Sequence, residues 1–399
     1  NPPPPLGSWN KTIELVPEHI RGGALLLHGL TDSPYSLRRI GRILHAKGFY
    51  VLGLRLPGHG TIPGALTNVR WEDWVAASRI GARHVREQIG SDRPFGIVGY
   101  SNGGALAVKY ALDALVDPDL PSPDRLLLFS PEIGVSALAF AANTHKLLSF
   151  LPYFEKSKWL DIIPEYDPFK YNSFPKNAAQ QAYGITKTLQ RQIDETRAAG
   201  NFADFPPVFT FLSWIDATVD TSATIHRLYE QLQNKGSELV VFDVNRFHQL
   251  EPFIPAANDK PLKQLETRSD LPYRLTLITN MDRNSNRMVQ RTKAPRSGVI
   301  DSTILDVAWP PGVYSLTHVA VQFSPDDPVY GTNKNSNDKY HGLLLGRLQP
   351  RGESHLLTAP LRQLMRLRHN PFFTYLEQRV VNDMDHQLTG GRQWISEAK

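Results

Sequence analysis

The sequence predicts an α/β fold, in which a mostly parallel, eight-stranded, doubly wound sheet carries an inserted helical cap and a C-terminal extension. Apolar runs of strand length alternate with segments of helical periodicity, which is typical of parallel strands joined by crossover helices. A glycine-rich turn joins one of these runs to a helix, and a long segment rich in aromatic residues and proline interrupts the alternation. A chain of 399 residues is long enough for such a core with additions.

In the first part of the chain, each apolar run is followed by a helical pattern or a turn. The predicted strands cover residues 23–30, 49–56, 95–98 and 125–130, and the predicted helices cover residues 33–47, 69–89 and 105–115. Residues 57–60, Pro-Gly-His-Gly, break the chain after the second strand. This order predicts successive strand, helix and strand units of one sheet.

The alternation stops between residues 133 and 206, where aromatic residues are interleaved with prolines. An insertion of this length between two strands is typical of a cap or lid over an active site. Most of its aromatic side chains are expected to pack the cap onto the core, and a minority to line a substrate pocket.

The strand and helix signals resume after the cap. The sequence predicts strands over residues 208–215, 238–244 and 273–279, and helices over residues 222–234 and about 359–384. We therefore divide the chain into a proline-rich N-terminal segment (1–19), a core (20–132 and 207–331), a cap (133–206) and a C-terminal extension (332–399).

Composition excludes several classes of function. The chain has no cysteine, so it has neither a disulfide framework nor a thiolate metal site, and no apolar run reaches the roughly 20 residues of a membrane span.

The start of the chain at Asn1 with four prolines predicts a removed leader and a secreted or periplasmic bacterial protein, with a cytoplasmic location left open. The basic segment 283–296 is interpreted as a solvated loop, because no aromatic partners suggest nucleic-acid binding.

Residues 99–103, Gly-Tyr-Ser-Asn-Gly, are the most informative motif. They fit Gly-x-Ser-x-Gly between a predicted strand and a predicted helix, which is the context of a nucleophile elbow. Such a turn strains the backbone of the serine, and the flanking glycines remove side chains that would collide there. Ser101 is therefore the candidate nucleophile.

A serine nucleophile also needs donors for the oxyanion that forms on the attacked carbonyl. One donor is the backbone N–H after the nucleophile, here Asn102, and the other comes from the loop that follows the first strong strand. That loop makes Leu30 or Thr31 the second candidate, of which we select Leu30. His28 is interpreted as bracing this loop.

Three motifs together resemble the α/β-hydrolase fold, and specifically its monoacylglycerol lipase, lysophospholipase and carboxylesterase branch. They are His28-Gly29, residues 56–60 (Leu-Pro-Gly-His-Gly) and residues 99–104 (Gly-Tyr-Ser-Asn-Gly-Gly). The resemblance covers residues 20–250 and implies a Ser-His-Asp triad that cleaves carboxylic esters through an acyl-enzyme.

The resemblance also implies an acid after the next-to-last strand, often as Asp-x-x-Val. Asp216 begins such a motif and is preferred over Asp220. The histidine is open between His248, in the position of a compact member, and His318, in a passage that resembles a bacterial subgroup with a long C-terminal extension. We favour His318.

The predicted function is a serine hydrolase of lipase or esterase type, acting on a small-molecule ester with an apolar acyl or aryl group. The alternatives are a prolyl-aminopeptidase-like peptidase, for which Glu132 could hold the substrate amine, an acyltransferase, and a non-catalytic hydrolase-like binding protein. No metal spacing, nucleotide loop or integral membrane segment is present in the sequence, so we expect no cofactor, metal or nucleic-acid partner.

Overall fold

The computed structural model describes residues 8–134, 158–216, 218–233, 236–248, 259–311, 313, 315–332, 345 and 367–388. These residues fall into two compact units. The first contains residues 1–206 and 377–399, and the second contains residues 207–376. Each unit contains a main set of five strands, and the first unit also contains a separate two-stranded ribbon.

The five strands of the first unit lie in the order β1-β3-β2-β4-β5. Their bounds are β1 Ile13–Leu15, β2 Gly22–Leu27, β3 Phe49–Leu54, β4 Phe95–Tyr100 and β5 Arg125–Phe129. All pairs are parallel except β1 with β3, which is antiparallel. Strand β1 was not predicted from the sequence. Every residue of β2 and β5 is buried, as expected for parallel strands covered on both faces.

Three helices connect these strands: α1 Arg38–Ala46, α2 Trp71–Ile89 and α3 Asn102–Ala114. The helix predicted from residue 33 begins with a short 3₁₀ turn, Pro34–Leu37, because proline sets the first turn but α-helical bonding starts only at Arg38. The Asp73 carboxylate accepts the Arg70 backbone N–H at 2.9 Å and so caps the start of helix α2. Gly90, whose φ is +75°, follows the last residue of the helix.

The described part of the predicted cap is a two-stranded ribbon followed by one long helix. Strands β6 Trp159–Asp161 and β7 Phe174–Pro175 pair antiparallel, and helix α4 spans Lys176–Ala198. Residues 135–157, with Phe140, Phe150, Tyr153 and Phe154, lie outside the described residues. The prediction that cap aromatics line a pocket therefore concerns, in the described part, the segment from residue 158 onward.

The second unit also has five strands, in the order β8-β9-β10-β11-β12. Their bounds are β8 Val208–Ser213, β9 Glu238–Phe242, β10 Arg274–Asn280, β11 Arg287–Lys293 and β12 Ile300–Ala308. The first three are parallel, and β11 and β12 continue antiparallel. Strands β11 and β12 were not predicted, so the described strands of the two main sets number ten rather than eight.

The interpretation of the basic segment as a solvated loop is wrong for half of its length, because β11 lies within it. Lys293 is buried and its Nζ donates to the carbonyl oxygens of Leu265 and Glu266, at 3.0 and 2.7 Å. Arg291 forms an ion pair of 3.1 Å with Glu266. Backbone carbonyls and a carboxylate thus satisfy charges that composition alone assigned to solvent.

The remaining helices differ from their predicted bounds. The segment predicted as one helix over 222–234 is a short helix α5, Thr221–Ala223, followed by a π turn and a 3₁₀ turn that end at Gln231. Helix α6 spans Asp259–Thr267, and helix α7 spans Phe373–Leu388 rather than residues 359–384. Residues 359–366 lie outside the described part of the chain.

Most of α7 belongs to the first unit, and ion pairs within that unit hold its C-terminal half. Arg125 and Asp383 are both buried and form a bidentate pair, and Lys47 binds Asp385 at 2.8 Å. Across the described residues, no helix is both long and apolar enough to span a membrane.

Candidate active site

Ser101 lies at the turn between β4 and α3 in a strained conformation, with φ +54° and ψ −119°. Its backbone N–H donates to the carbonyl of Phe129 at 3.0 Å, and its own carbonyl accepts the N–H groups of Gly104 at 2.8 Å and Glu132 at 3.0 Å. Bonds from two neighbouring segments therefore hold a backbone geometry that a non-glycine residue rarely adopts. This is the geometry of a nucleophile elbow.

The glycines around Ser101 are required by close backbone contacts. A Cβ at Gly99 would lie 2.5 Å from the carbonyl oxygen of Gly103. A Cβ at Gly103 would lie 1.9 Å from the carbonyl oxygen of Leu27, the last residue of β2. The start of α3 is thus pressed against the end of β2, which brings the loop after β2 next to the nucleophile.

The loop after β2 contains both residues that the sequence offers as the second oxyanion donor. A Cβ built at Gly29 would be 3.2 Å from the Cβ of Ser101, so the loop backbone lies directly beside the nucleophile. The Asp32 N–H donates to the Gly29 carbonyl at 3.2 Å, which closes a turn with Leu30 and Thr31 at its centre. Thr31 has φ +68°.

The other oxyanion candidate, Asn102, is the first residue of α3 and is fully buried. First-turn N–H groups of a helix have no partner within the helix, so the Asn102 N–H is available to a ligand. No hydrogen bond from the Leu30 N–H occurs within the described part of the chain.

His28 braces the loop, as predicted from the sequence. Its Nδ1 lies 2.9 Å from the Gly29 carbonyl, and its Nε2 accepts the Leu56 backbone N–H at 3.1 Å. Burial, followed by the neighbouring His59, lowers the pKa of His28 well below its ordinary value. Both ring nitrogens are engaged, so His28 is a neutral structural group and not a general base.

His59 is a second buried structural histidine. Its ring packs edge-on to His28 with centroids 4.9 Å apart, and its Nδ1 bonds the Pro57 carbonyl at 2.9 Å. Burial lowers the pKa of His59 to about 4. Because the unfolded chain takes up the proton at higher pH, this residue reduces stability as the pH falls from about 6.5 towards 4.

The structure brings Asp216 and His318 together in the second unit. The His318 Nδ1 lies 2.8 Å from the Asp216 Oδ2, and the two side chains are 5% and 0% exposed. The other oxygen of Asp216 accepts the backbone N–H groups of Thr218 and Val219, at 2.8 and 3.1 Å. Asp216 therefore bonds both His318 and the backbone of the residues that follow it.

The charge of Asp216 is stabilised in this setting. Burial alone would raise the pKa of Asp216, but the adjoining His318 and the two backbone donors outweigh that effect and lower it. A carboxylate bound to Nδ1–H fixes the tautomer of the imidazole and leaves Nε2 as a base. The pair is therefore equipped for proton transfer.

The alternative residues have other surroundings. Asp220 accepts the backbone N–H of Ala223 at 3.0 Å and caps α5. His248 is exposed, and its Nδ1 lies 3.3 Å from the carbonyl of Arg283. Among the described residues of the second unit, no histidine bonds Asp220 and no carboxylate bonds His248. Ser101 itself belongs to the first unit, and Asp216 and His318 belong to the second.

Glu132 is a buried carboxyl group next to the nucleophile, with 8% of its surface exposed. Its backbone N–H donates to the Ser101 carbonyl. Burial raises the pKa of Glu132 to about 7, because the charged carboxylate loses its contact with water. Glu132 is thus neutral over most of the acidic range.

This burial predicts a pH-dependent stability. Since the folded pKa lies above the unfolded one, the folded chain binds the extra proton, and stability falls as the pH rises from about 4.5 to 7. Relative to wild type, Glu132→Gln should gain about 3 kcal/mol of unfolding free energy between pH 5 and pH 8. Urea unfolding at both pH values measures this gain, with Glu87→Gln on the exposed face of α2 as the control.

An equal pH dependence of the unfolding free energy in wild type and Glu132→Gln would contradict the raised pKa of Glu132. The described residues contain no group of three or more His, Asp or Glu side chains that could hold a metal ion.

The sequence profile of the alpha/beta hydrolase family matches residues 24–330, so this chain belongs to that family. It is 32% identical over 89 residues to a thermostable monoacylglycerol lipase of Bacillus sp. strain H-257, covering 22% of this chain and 34% of the relative. It is 24% identical over 234 residues to a carboxylesterase of Bacillus subtilis strain 168, covering 57% of this chain and 87% of the relative. The chain thus spans about a third of the first relative and most of the second.

Solved structures with a similar fold include a protein from a study of LipS and LipT, two metagenome-derived lipolytic enzymes. It is 19% identical, covers 65% of this chain and 98% of its own, and has a TM-score of 0.47. The monoacylglycerol lipase of Paleococcus ferrophilus is 17% identical, covers 58% and 88%, and has a TM-score of 0.41. The family membership confirms the predicted α/β-hydrolase fold.

Proposed function

We propose that this protein is a serine hydrolase that cleaves carboxylic esters, with Ser101, His318 and Asp216 as its catalytic triad. The strained elbow of Ser101 is the observation that carries the proposal, since φ +54° at a serine between strand and helix is what nucleophile presentation requires. The hydrogen bond between Asp216 and His318 supports it by supplying an oriented base.

The reaction proceeds in two halves. The Nε2 of His318 takes the proton of the Ser101 hydroxyl, and the oxygen attacks the ester carbonyl to form a tetrahedral intermediate. Collapse of this intermediate breaks the bond to the alcohol, which leaves with the proton held by His318. Water then attacks the acyl-enzyme with the same proton transfers, releasing the acid and restoring Ser101.

The oxyanion of both intermediates is bound by the backbone N–H groups of Leu30 and Asn102. Each lies on a segment adjoining Ser101, one after β2 and one at the start of α3. Loss of one such donor costs about 3 kcal/mol of transition-state stabilisation in serine hydrolases.

The substrate we propose is a small-molecule ester with an apolar acyl or aryl group. The support is the aromatic content of the cap segment and the similarity to a monoacylglycerol lipase and a carboxylesterase. Across p-nitrophenyl esters from acetate to octanoate, kcat/KM should rise with chain length by at least about tenfold, because each buried CH₂ contributes about 0.8 kcal/mol. A flat series would contradict the apolar acyl site.

The peptidase alternative depends on Glu132 as a partner for a substrate amine. A carboxyl group whose pKa is raised to about 7 is neutral in acid and offers little charge to a cationic amine there. The similarity to a monoacylglycerol lipase and a carboxylesterase supports ester cleavage over the peptidase reaction. Amine release from aminoacyl p-nitroanilides distinguishes the peptidase reaction from ester cleavage. Export from the cytoplasm is a separate prediction, which cell fractionation tests.

A further inference from the structure

Four consecutive cap residues contact the first unit, and the last two of them contact the loop that carries Leu30. The Pro168 carbonyl accepts the side-chain amide of Asn10 at 2.7 Å, and the Phe169 ring stacks on Tyr35 with centroids 3.8 Å apart. The Lys170 ammonium lies 3.5 Å from the Asp32 carboxylate. We call residues 168–171 the cap strap.

Tyr171 ends the cap strap and makes the most contacts. Its backbone N–H donates to the carbonyl of Thr31 at 2.8 Å. Its hydroxyl donates to the carbonyl of Gly58 at 3.2 Å and accepts the backbone N–H of Thr61 at 2.8 Å. Its ring lies parallel to that of His59, with 8° between the ring planes. Tyr171 therefore joins two loops of the first unit, one of which adjoins Ser101.

The loop needs such support because Thr31 is strained. Thr31 occupies the third position of the turn closed by Gly29 and Asp32, where φ is positive and glycine is the favoured residue. A β-branched residue in this conformation costs on the order of 1–2 kcal/mol and persists only where neighbouring groups hold it. Tyr171 and Lys170 bind the two residues, Thr31 and Asp32, that end this turn.

We propose that Tyr171 is a positioning residue, which holds the turn at Leu30 and Thr31 in the conformation that binds the oxyanion. The inference rests on the proposed function. It makes the cap strap part of the catalytic apparatus, because the orientation of the Leu30 N–H depends on a contact from the cap. A cap residue that only packed against the core would affect substrate binding or stability instead.

The test compares Tyr171→Phe with wild type. The substitution removes the hydroxyl that anchors the cap strap to Gly58 and Thr61 but keeps the ring. For p-nitrophenyl butyrate, we expect kcat to fall about tenfold with KM within twofold, because the oxyanion forms only after substrate binding. Inhibition by an alkyl trifluoromethyl ketone, whose serine adduct places an oxyanion in the same site, should weaken by a similar factor.

Tyr183→Phe is the matched control, since Tyr183 lies on α4 and its hydroxyl has no hydrogen bond among the described residues. It should retain wild-type kcat and inhibition. Thr31→Gly relieves the strain, so Tyr171→Phe should cost less in the Thr31→Gly background than in wild type. If Tyr171→Phe fails to fold, Lys170→Met, which removes the ion pair to Asp32, should give the same pattern of lower kcat and unchanged KM.

Unchanged kcat and inhibition in Tyr171→Phe, with normal turnover in wild type, would overturn the positioning role and leave the proposed function intact. A rise in KM alone would overturn it as well. Absence of ester turnover in wild type would instead overturn the proposed function and this inference with it.

Discussion

Replacing Ser101 with alanine should lower kcat for p-nitrophenyl esters by about a million-fold, to a rate set by the oxyanion donors and substrate binding. Ser101 is the residue that joins β4 to α3, and alanine in its place has no atom that can attack the carbonyl. Steady-state rates with each purified protein measure the loss. The variant should unfold at nearly the wild-type temperature, because the hydrogen bonds that hold Ser101 in the described structure are made by its backbone.

Ser91→Ala is the control for this variant, because Ser91 is exposed before β4 and its hydroxyl donates to the Asp92 carboxylate at 2.8 Å. It should keep full activity. Residual turnover of Ser101→Ala above about a hundredth of wild type would show that another group is the nucleophile.

Replacing His318 with alanine should have a comparable effect, since the nucleophile then has no base. His248→Ala should stay within about twofold of wild type, because His248 is exposed and bonded only to a backbone carbonyl in the described structure. Asp216→Asn should lower kcat by about ten-thousand-fold, because an amide no longer fixes the imidazole tautomer. Initial rates for the three variants against one ester give the comparison.

The order of these losses is the informative result. If His248→Ala lost most of its activity and His318→Ala kept it, the buried pair with Asp216 would be structural. If Asp220→Ala exceeded Asp216→Asn in effect, the acid would be misassigned despite its hydrogen bond of 2.8 Å to His318.

Much of the fold follows from the sequence because parallel strands are buried on both faces. Residues 23–30 and 125–130 read as apolar runs, and the structure has strands there that end within a few residues of the predicted bounds. The elbow at Ser101 could equally be predicted from the sequence, because only glycines fit between the backbones of β2, β4 and α3. Local rules suffice where one short segment determines the geometry.

Long-range pairs were harder to predict. Asp216 and His318 are 102 residues apart, so no local pattern joins them, and only a resemblance favoured His318 over His248. Strands β11 and β12 were missed because β11 is rich in basic residues and most of β12 is exposed. The buried state of Lys293 depends on carbonyls from another segment, which a sequence pattern does not reveal.

The cap strap was missed for the same physical reason. Tyr171 lies 110 residues from Thr61 in the chain, and its bond to Thr31 uses the backbone N–H that any residue except proline offers. The positive φ of Thr31 gave no signal either, because threonine is among the residues least suited to it.

The reaction of a fluorophosphonate probe with the folded protein tests the central claim most directly, because the probe modifies only an activated serine. Peptide mass spectrometry should place the label at Ser101 in wild type, with labelling lost in His318→Ala and kept in His248→Ala. An unlabelled Ser101 in folded wild-type protein, or equal labelling after removal of His318, would contradict a hydroxyl activated by that imidazole.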